Sequence, residues 1–372
     1  AAERGQDSNA TARARSGIGL VQAARGEADQ ACSGLEMAIH VLPKGDPIWP
    51  KVATALATSR LIRGDVDGAD GLWQSLHDLG RATGNGLVTA EALAGTGMVS
   101  LVRGDLLSGR DALEHAEQLL SERRAPRSVI PISMILADLA LIDGRLLEAR
   151  ERAIEAERKA RETSRMATCI HAMGLLALVH SAYGDHAASR ILTRDAMTLN
   201  RARSPNWGPS EVIAVVTVAR ALIETGAMQD AANILPDIGT TSISGLDDPL
   251  GQLLALQARI MAEHNPKQAQ KLAGKALAQP PASFSWASAR LRIDAALALE
   301  NLDKRAAASA LRRVLPQIEG DGVRLLRLEA HLLASRIGMD KSAQTANDLR
   351  AELSSELASP PGFLTRWSGT TG

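Results

Sequence analysis

Aromatic side chains are nearly missing from this chain: Phe, Tyr and Trp together make up 2% of its 372 residues. The core must therefore be built from Ala, Leu, Ile, Val and Met, and a hydrophobic content of 45% supplies enough of them. Cysteine is equally scarce. Cys32 and Cys169 stand far apart in sequence and are read as two buried thiols of a reducing compartment, not as a disulfide scaffold. An excess of one charge is also lacking, with 42 basic and 42 acidic residues. That balance argues against sequence-independent nucleic-acid binding, which needs a basic footprint. It argues equally against a polybasic membrane anchor. The longest apolar run, Val212 to Ile223, is too short to span a bilayer and contains Arg220. No signal peptide is visible. The polar start without Met leads us to expect a piece cut from a longer, cytoplasmic chain.

What is present is a period. Arg25-Gly26-Glu27 returns as Arg63-Gly64-Asp65 and as Arg103-Gly104-Asp105. Looser copies follow at Gly144, Gly184 and Gly226. These glycines are separated by 38, 40, 40, 40 and 42 residues. A constant interval of this size means one supersecondary unit repeated, so the chain's length does not imply two or three globular domains.

Each period has the same grammar. An apolar helix A runs up to the glycine, which supplies a left-handed helix end at little steric cost. An acidic residue such as Asp65, Asp105 or Asp185 then caps helix B. In the third period, A covers about Val88 to Arg103 and B about Leu106 to Leu120, both with amphipathic spacing. A link of two or three residues forces the two helices antiparallel. In the charged run Arg145 to Arg165, Glu148–Arg152, Glu155–Lys159 and Glu157–Arg161 are i,i+4 pairs of favourable polarity, which describes a solvated outer helix.

The pattern resembles the tetratricopeptide repeat (TPR), a helix-turn-helix unit of about 34 residues. The small residue of helix A falls at Gly19, Ala57, Gly97, Ala137, Ala177 and Ala219, and that of helix B at Ala31, Ala69, Ala149 and Ala231. Ala38, Ala116, Ala156 and Ala196 supply a later small position, and Pro43 stands at the helix-ending proline. Small residues there let stacked hairpins approach closely. The family's large helix-A aromatics are absent, with Ala53, Leu93, Ser133 and Met173 in their place. The longer period and the degenerate style resemble the repeat arrays of MalT-like transcription activators and other bacterial signalling proteins. Further turns at Asn265, Asp303 and Gly338 bring the expected total to about nine hairpins, or eighteen helices.

Catalytic signatures do not appear. Gly274-Lys275 lacks the upstream glycine and following Ser/Thr of a phosphate loop. No paired-cysteine or His-Glu-x-x-His metal motif occurs, and His171 and His180 are wrongly spaced for one helix face. Gly17-x-Gly19 and Gly95-x-Gly97 follow no strand and are assigned to close helix packing. Trp49, Trp207 and Trp286, each just before a helix A, are read as caps over hairpin ends.

The expected architecture is thus all-α: a right-handed superhelical TPR-like solenoid. Repeats one to six occupy 1–235, a loop or hinge 236–249, degenerate repeats seven to nine 250–358, and a tail 359–372. The resemblance implies a non-enzymatic scaffold, without cofactor or metal, that binds a protein or peptide on a concave face lined by A helices. The alternative is a sensor arm of a larger bacterial signalling protein that binds a small ligand or holds an effector domain inactive. In repeat register the groove residues are Lys51, Thr54, Thr58, Glu91, Met98, Met134, Asp138, His171, Leu178 and Arg220.

Overall fold

The computed structural model describes residues 2–202, 207–236, 248–279, 284–320, 322–339 and 341–356. Among them are eighteen α-helices and no strand. Two compact units divide the chain, the first built on residues 1–132 and the second on most of the chain from Ser133 on. The hinge expected at 236–249 and the tail expected at 359–372 lie largely or wholly outside the described residues.

The first unit holds α1 (Ala2–Ala24), α2 (Ala28–Val41), α3 (Trp49–Ile62), α4 (Val66–Thr83), α5 (Gly86–Val102), α6 (Leu106–Glu122) and the start of α7 (Pro126–Asp143). The second holds the rest of α7, then α8 (Leu146–Glu162), α9 (Met166–Ala182), α10 (His186–Arg201), α11 (Pro209–Glu224) and α12 (Met228–Ile234). It continues with α13 (Pro249–Met261), α14 (Pro266–Leu277), α15 (Ser285–Leu299), α16 (Lys304–Val314), α17 (Arg324–Arg336) and α18 (Ser342–Glu356).

The turns follow the sequence grammar. Gly64, Gly104, Gly144 and Gly184 have φ of 80°, 87°, 82° and 80°, the left-handed region that favours glycine. At the third turn, Gly104 N–H donates to the Leu101 carbonyl at 3.1 Å and Asp105 N–H to Ser100 at 3.0 Å. That crossed pair satisfies carbonyls that the helix end leaves orphaned. The Asp65, Asp105 and Asp185 carboxylates then accept from the N–H groups of Gly68, Ser108 and Ala188, each at 3.0 Å. The same trick caps α14 through Asn265 and α16 through Asp303.

Close packing uses the small residues. A Cβ on Gly97 would stand 3.0 Å from the Gly109 carbonyl oxygen and 3.1 Å from Leu113 Cγ. One on Gly95 would meet the buried Trp73 ring at 2.0 Å. Gly19 is closed in the same way by Leu35, but nothing lies within 4 Å of Gly17. The packing role assigned to Gly17-x-Gly19 therefore belongs to Gly19 alone. Cys32 and Cys169 are free and buried. Trp49 and Trp286 are buried and Trp207 is half-buried. The three pairs expected on α8 all form, with Glu148–Arg152 at 2.8 Å, Glu155–Lys159 at 3.3 Å and Glu157–Arg161 in contact.

The second unit returns on itself. Leu325, Leu328 and Leu332 of α17, with Ala346, Leu349 and Leu353 of α18, share one hydrophobic core with Met134, Ala137 and Ala140 of α7 and with Leu146, Ala149 and Ala153 of α8. Leu353 Cδ2 stands 2.6 Å from where a Cβ on Gly144 would be, so a larger residue at that turn would push the last helix away. The buried Asp143 carboxylate accepts from Arg324 Nε at 3.0 Å and from Arg145 Nε at 3.0 Å. The result is an inner layer of A helices walled by B helices. Its members α9, α11 and α15 are buried nearly all round, whereas α8 and α10 bury one stripe. An apolar stripe suits a helix with one face in water, and an all-round apolar sequence suits an inner one.

Candidate functional site

Inside the second unit is a cavity of about 70 Å³. Leu141 of α7, Leu178, Ser181 and Ala182 of α9, Arg220 and Glu224 of α11, Arg259 of α13, Arg290 and Leu297 of α15, and Leu325 and Glu329 of α17 line it. All six inner helices from α7 to α17 thus contribute, which is the consequence of the ring of contacts just described.

Its polar wall is an ionic network. Asp294 on α15 is fully buried and accepts from two guanidiniums: Arg220 NH2 at 2.9 Å and Arg259 NH1 at 2.8 Å. Arg220 NH2 also reaches Gln252 Oε1 at 3.0 Å, and Arg259 NH2 reaches Glu224 Oε1 at 3.1 Å. Arg290 pairs with Glu329 on α17. Burial alone would push the Asp294 carboxyl up, but Arg220, Arg259 and Arg290 outweigh it and hold it below the usual range. Burial lowers Arg220, against the opposing pull of Asp294. It raises Glu329, with Arg290 opposing. Such a network is costly to desolvate and is worth having only if every group is bonded, as these are.

The expected groove residues divide between the two units. In the first, Lys51 is exposed, and Thr58 Oγ1 donates to the Thr54 carbonyl at 3.0 Å. Glu91 accepts from Ser128 Oγ at 2.8 Å, and Met98 packs against that unit's core. In the second, Met134 is buried in the core, while Leu178 and Arg220 line the same cavity. His171 Nε2 lies 3.7 Å from Asp138 Oδ2, and Asp138 in turn feels Arg220. Burial pushes the Asp138 carboxyl up to about 7, although a third of its side chain is open. Arg220 is not a loose groove charge: it is buried and bound to Asp294 and Gln252, because α11 is an inner helix on every side.

Arg259, Arg290, Asp294, Glu224 and Glu329 escaped the sequence reading. Their signal was charge inside a helix that is buried nearly all round, as Arg259 is the single charge of Pro249–Met261 and Arg290, Arg292 and Asp294 stand within Ser285–Leu299. Among the described residues, no group of three or more His, Cys, Asp or Glu side chains is placed to hold a metal ion. Among the same residues, no helix is long and apolar enough to cross a membrane.

Comparison with known proteins agrees with this architecture. Residues 18–316 match the MalT-like TPR region family. Among solved structures, the crystal structure of a Rap protein complexed with Competence and Sporulation Factor is similar, at 12% identity and a TM-score of 0.56. The match covers 93% of this chain and 97% of that one. A circular tandem repeat protein with novel repeat topology also aligns, at 12% identity over 98% of this chain and 97% of that one, but its TM-score of 0.18 is too low to compare parts. No curated protein matches in sequence.

Proposed function

We propose that this chain, which belongs to the MalT-like TPR region family, is a non-enzymatic recognition scaffold. It holds a protein or peptide partner against the inner face of its helix pairs. The observation that carries this reading is the cavity of the second unit, with polar groups and leucines from six inner helices converging on one space. A purely structural interior would be cheaper to fill with packed hydrocarbon than with a cluster of buried ions. Support also comes from the Rap protein, of the same fold, whose structure was solved with Competence and Sporulation Factor bound. On this reading Asp138, His171, Leu178 and Arg220 belong to the binding surface of the second unit. Lys51, Thr54, Thr58, Glu91 and Met98 play the same part in the first. The balanced charge fits a protein partner in the cytoplasm better than nucleic acid or a membrane surface.

A second reading is favoured by the family match together with the small size of the cavity. The chain would then be the sensor arm of a larger bacterial signalling protein, and the cavity would take a small molecule that frees or restrains an effector domain.

A photo-crosslinking residue placed at Leu178, inside, and at Ile191, which is exposed on α10, tests the scaffold reading in the producing cell. Discrete protein or peptide adducts are expected from position 178. Adducts from 191 alone would move the binding surface to the outer helices.

A further inference from the structure

The outer helices of the second unit do not treat their charges alike. On α8, Glu148, Glu155 and Glu157 each pair with a cation one turn on, at Arg152, Lys159 and Arg161. α14 and α16 do not. α14 carries Lys267, Lys271 and Lys275, α16 carries Lys304, Arg305, Arg312 and Arg313, and neither helix contains an acidic residue. All of these cations are exposed, and none makes an ion pair among the described residues.

The two sets form one patch. Lys267, Lys271 and Lys275 recur at i, i+4 and i+8, opposite the buried stripe of Ala269, Leu272, Ala273 and Ala276. They span about 12 Å of helix. Arg305 and Arg312 stand likewise opposite Ala307, Ala310, Leu311 and Val314. Gln270 Nε2 donates to the Leu302 carbonyl at 3.3 Å, which sets the first turn of α16 beside the Lys271 turn of α14. The acids close by in sequence are engaged or lie at the rim. Asp303 accepts the Ala306 N–H at 3.0 Å, and Glu300 is held by Arg336 at 2.6 and 2.7 Å. Glu263 precedes α14 and Glu319 follows α16.

Folding does not ask for this arrangement. Like charges at i,i+4 repel. Lys275, Arg312 and Arg313 suit the C-terminal turns of their helices, but Lys267, Lys304 and Arg305 stand in first turns, where the helix dipole disfavours a cation. A local rule broken with no gain to the fold marks a functional surface.

The make-up of the patch chooses among polyanions. No large apolar side chain of α14 or α16 is exposed, so nothing is there to enter a lipid surface. No aromatic stands there to stack a base. The helix N-termini, which commonly hold phosphate, are already closed by the side chains of Asn265 and Asp303, the second itself an anion. What remains is a row of cations about 6 Å apart, a spacing that suits carboxylates on successive turns of a helix or on alternate residues of an extended chain.

We infer that the α14–α16 face docks a Glu- and Asp-rich segment of a protein partner. This surface is separate from the cavity, and either can hold without the other.

Fluorescence anisotropy with the full chain tests this. The labelled probes are an oligoglutamate dodecamer, an oligolysine dodecamer and a DNA duplex of the same length. Oligoglutamate should bind, and its affinity should fall steeply from about 50 to about 200 mM salt. Lys267→Gln, Lys271→Gln, Lys304→Gln and Arg305→Gln together should weaken it by roughly tenfold or more. The control removes the same charge from α8 and α10, through Arg150→Gln, Arg190→Gln, Arg194→Gln and Arg201→Gln. It should leave the affinity within roughly twofold. Oligoglutamate binding no tighter than oligolysine, or equal losses in the two variants, overturns the inference. Tighter binding of the duplex overturns it in favour of nucleic acid. Melting temperature separates docking from folding. Relieved of mutual repulsion, the α14–α16 variant should melt no lower than the parent at low salt. A lower midpoint would make these cations part of the fold and overturn the inference.

Discussion

Asp143 and Arg324 are 181 positions apart and meet in a two-point ion pair, Nε to Oδ1 at 3.0 Å and NH2 to Oδ2 at 3.3 Å. The pair joins the last residue of α7 to the first residue of α17, beside the contact of Leu353 with Gly144. The Asp143 carboxylate is buried and also receives Arg145, so its removal would leave Arg145 to Glu148 alone and Arg324 to the exposed Glu352 alone.

Replacing Asp143 with Ala should therefore cost less than the roughly 3–5 kcal/mol of leaving a buried charge with no partner, about 1–3 kcal/mol. The loss should be local. Hydrogen exchange should quicken in α17 and α18 while the first unit's amides stay as protected as before. Uniform loss of protection would mean that the two units do not unfold separately.

Gly97→Leu should destabilise the first unit by roughly 1–3 kcal/mol, the usual cost of overpacking. Its Cβ would touch backbone, the Gly109 carbonyl at 3.0 Å, which cannot rotate away. Thermal or urea unfolding of the variant checks this, and an unchanged midpoint would contradict the contact.

Asp65→Ala should cost about 1 kcal/mol, since the side chain accepts the Gly68 N–H at the start of α4 and Ala cannot. Asp65→Asn should recover most of that loss. Equal unfolding midpoints for Ala and Asn would show that the cap contributes nothing.

A pH effect of opposite sign should come from Asp138 and Asp185. The folded state holds Asp138 protonated up to about 7, whereas an unfolded Asp ionises near 3.9. The folded chain thus binds the extra proton, and stability falls as the pH rises from about 4 to about 7. Asp138→Asn should therefore gain in melting temperature over the parent across that window, with the gain level above it. Asp185 is held below its usual range chiefly by the Ala188 N–H. Its contribution is present above the ordinary Asp pKa and fades as the pH falls through the lowered one. Melting curves of Asp138→Asn and Asp185→Asn from acid to neutral pH read both signs.

The repeat itself was legible because its determinants are local. Gly64 and Gly104 must end helices, Asp65 and Asp105 must start them, and Glu155 finds Lys159 one turn away. The ring of contacts was not legible. Nothing near Leu353 in sequence says that its partner is Gly144, and a leucine stripe on α17 or α18 looks the same whatever it packs against. The cavity was half legible. Repeat register named Leu178 and Arg220, which line the cavity, but it expected an open groove and did not name the carboxylates on α15 and α17 that form its polar wall.

The contact between α18 and the α7–α8 turn also bears on how the second unit comes to be folded. Open solenoids can grow outward from any hairpin, since each unit needs only its neighbour. Here one contact joins residues about as distant as the unit allows, which raises contact order and the loop entropy to be overcome. During synthesis Gly144, Leu146 and Ala149 would emerge long before Leu353. Until then the inner surface of α7 and α8 would wait uncovered, and a chain stalled before α18 would present leucine-rich surface to chaperones.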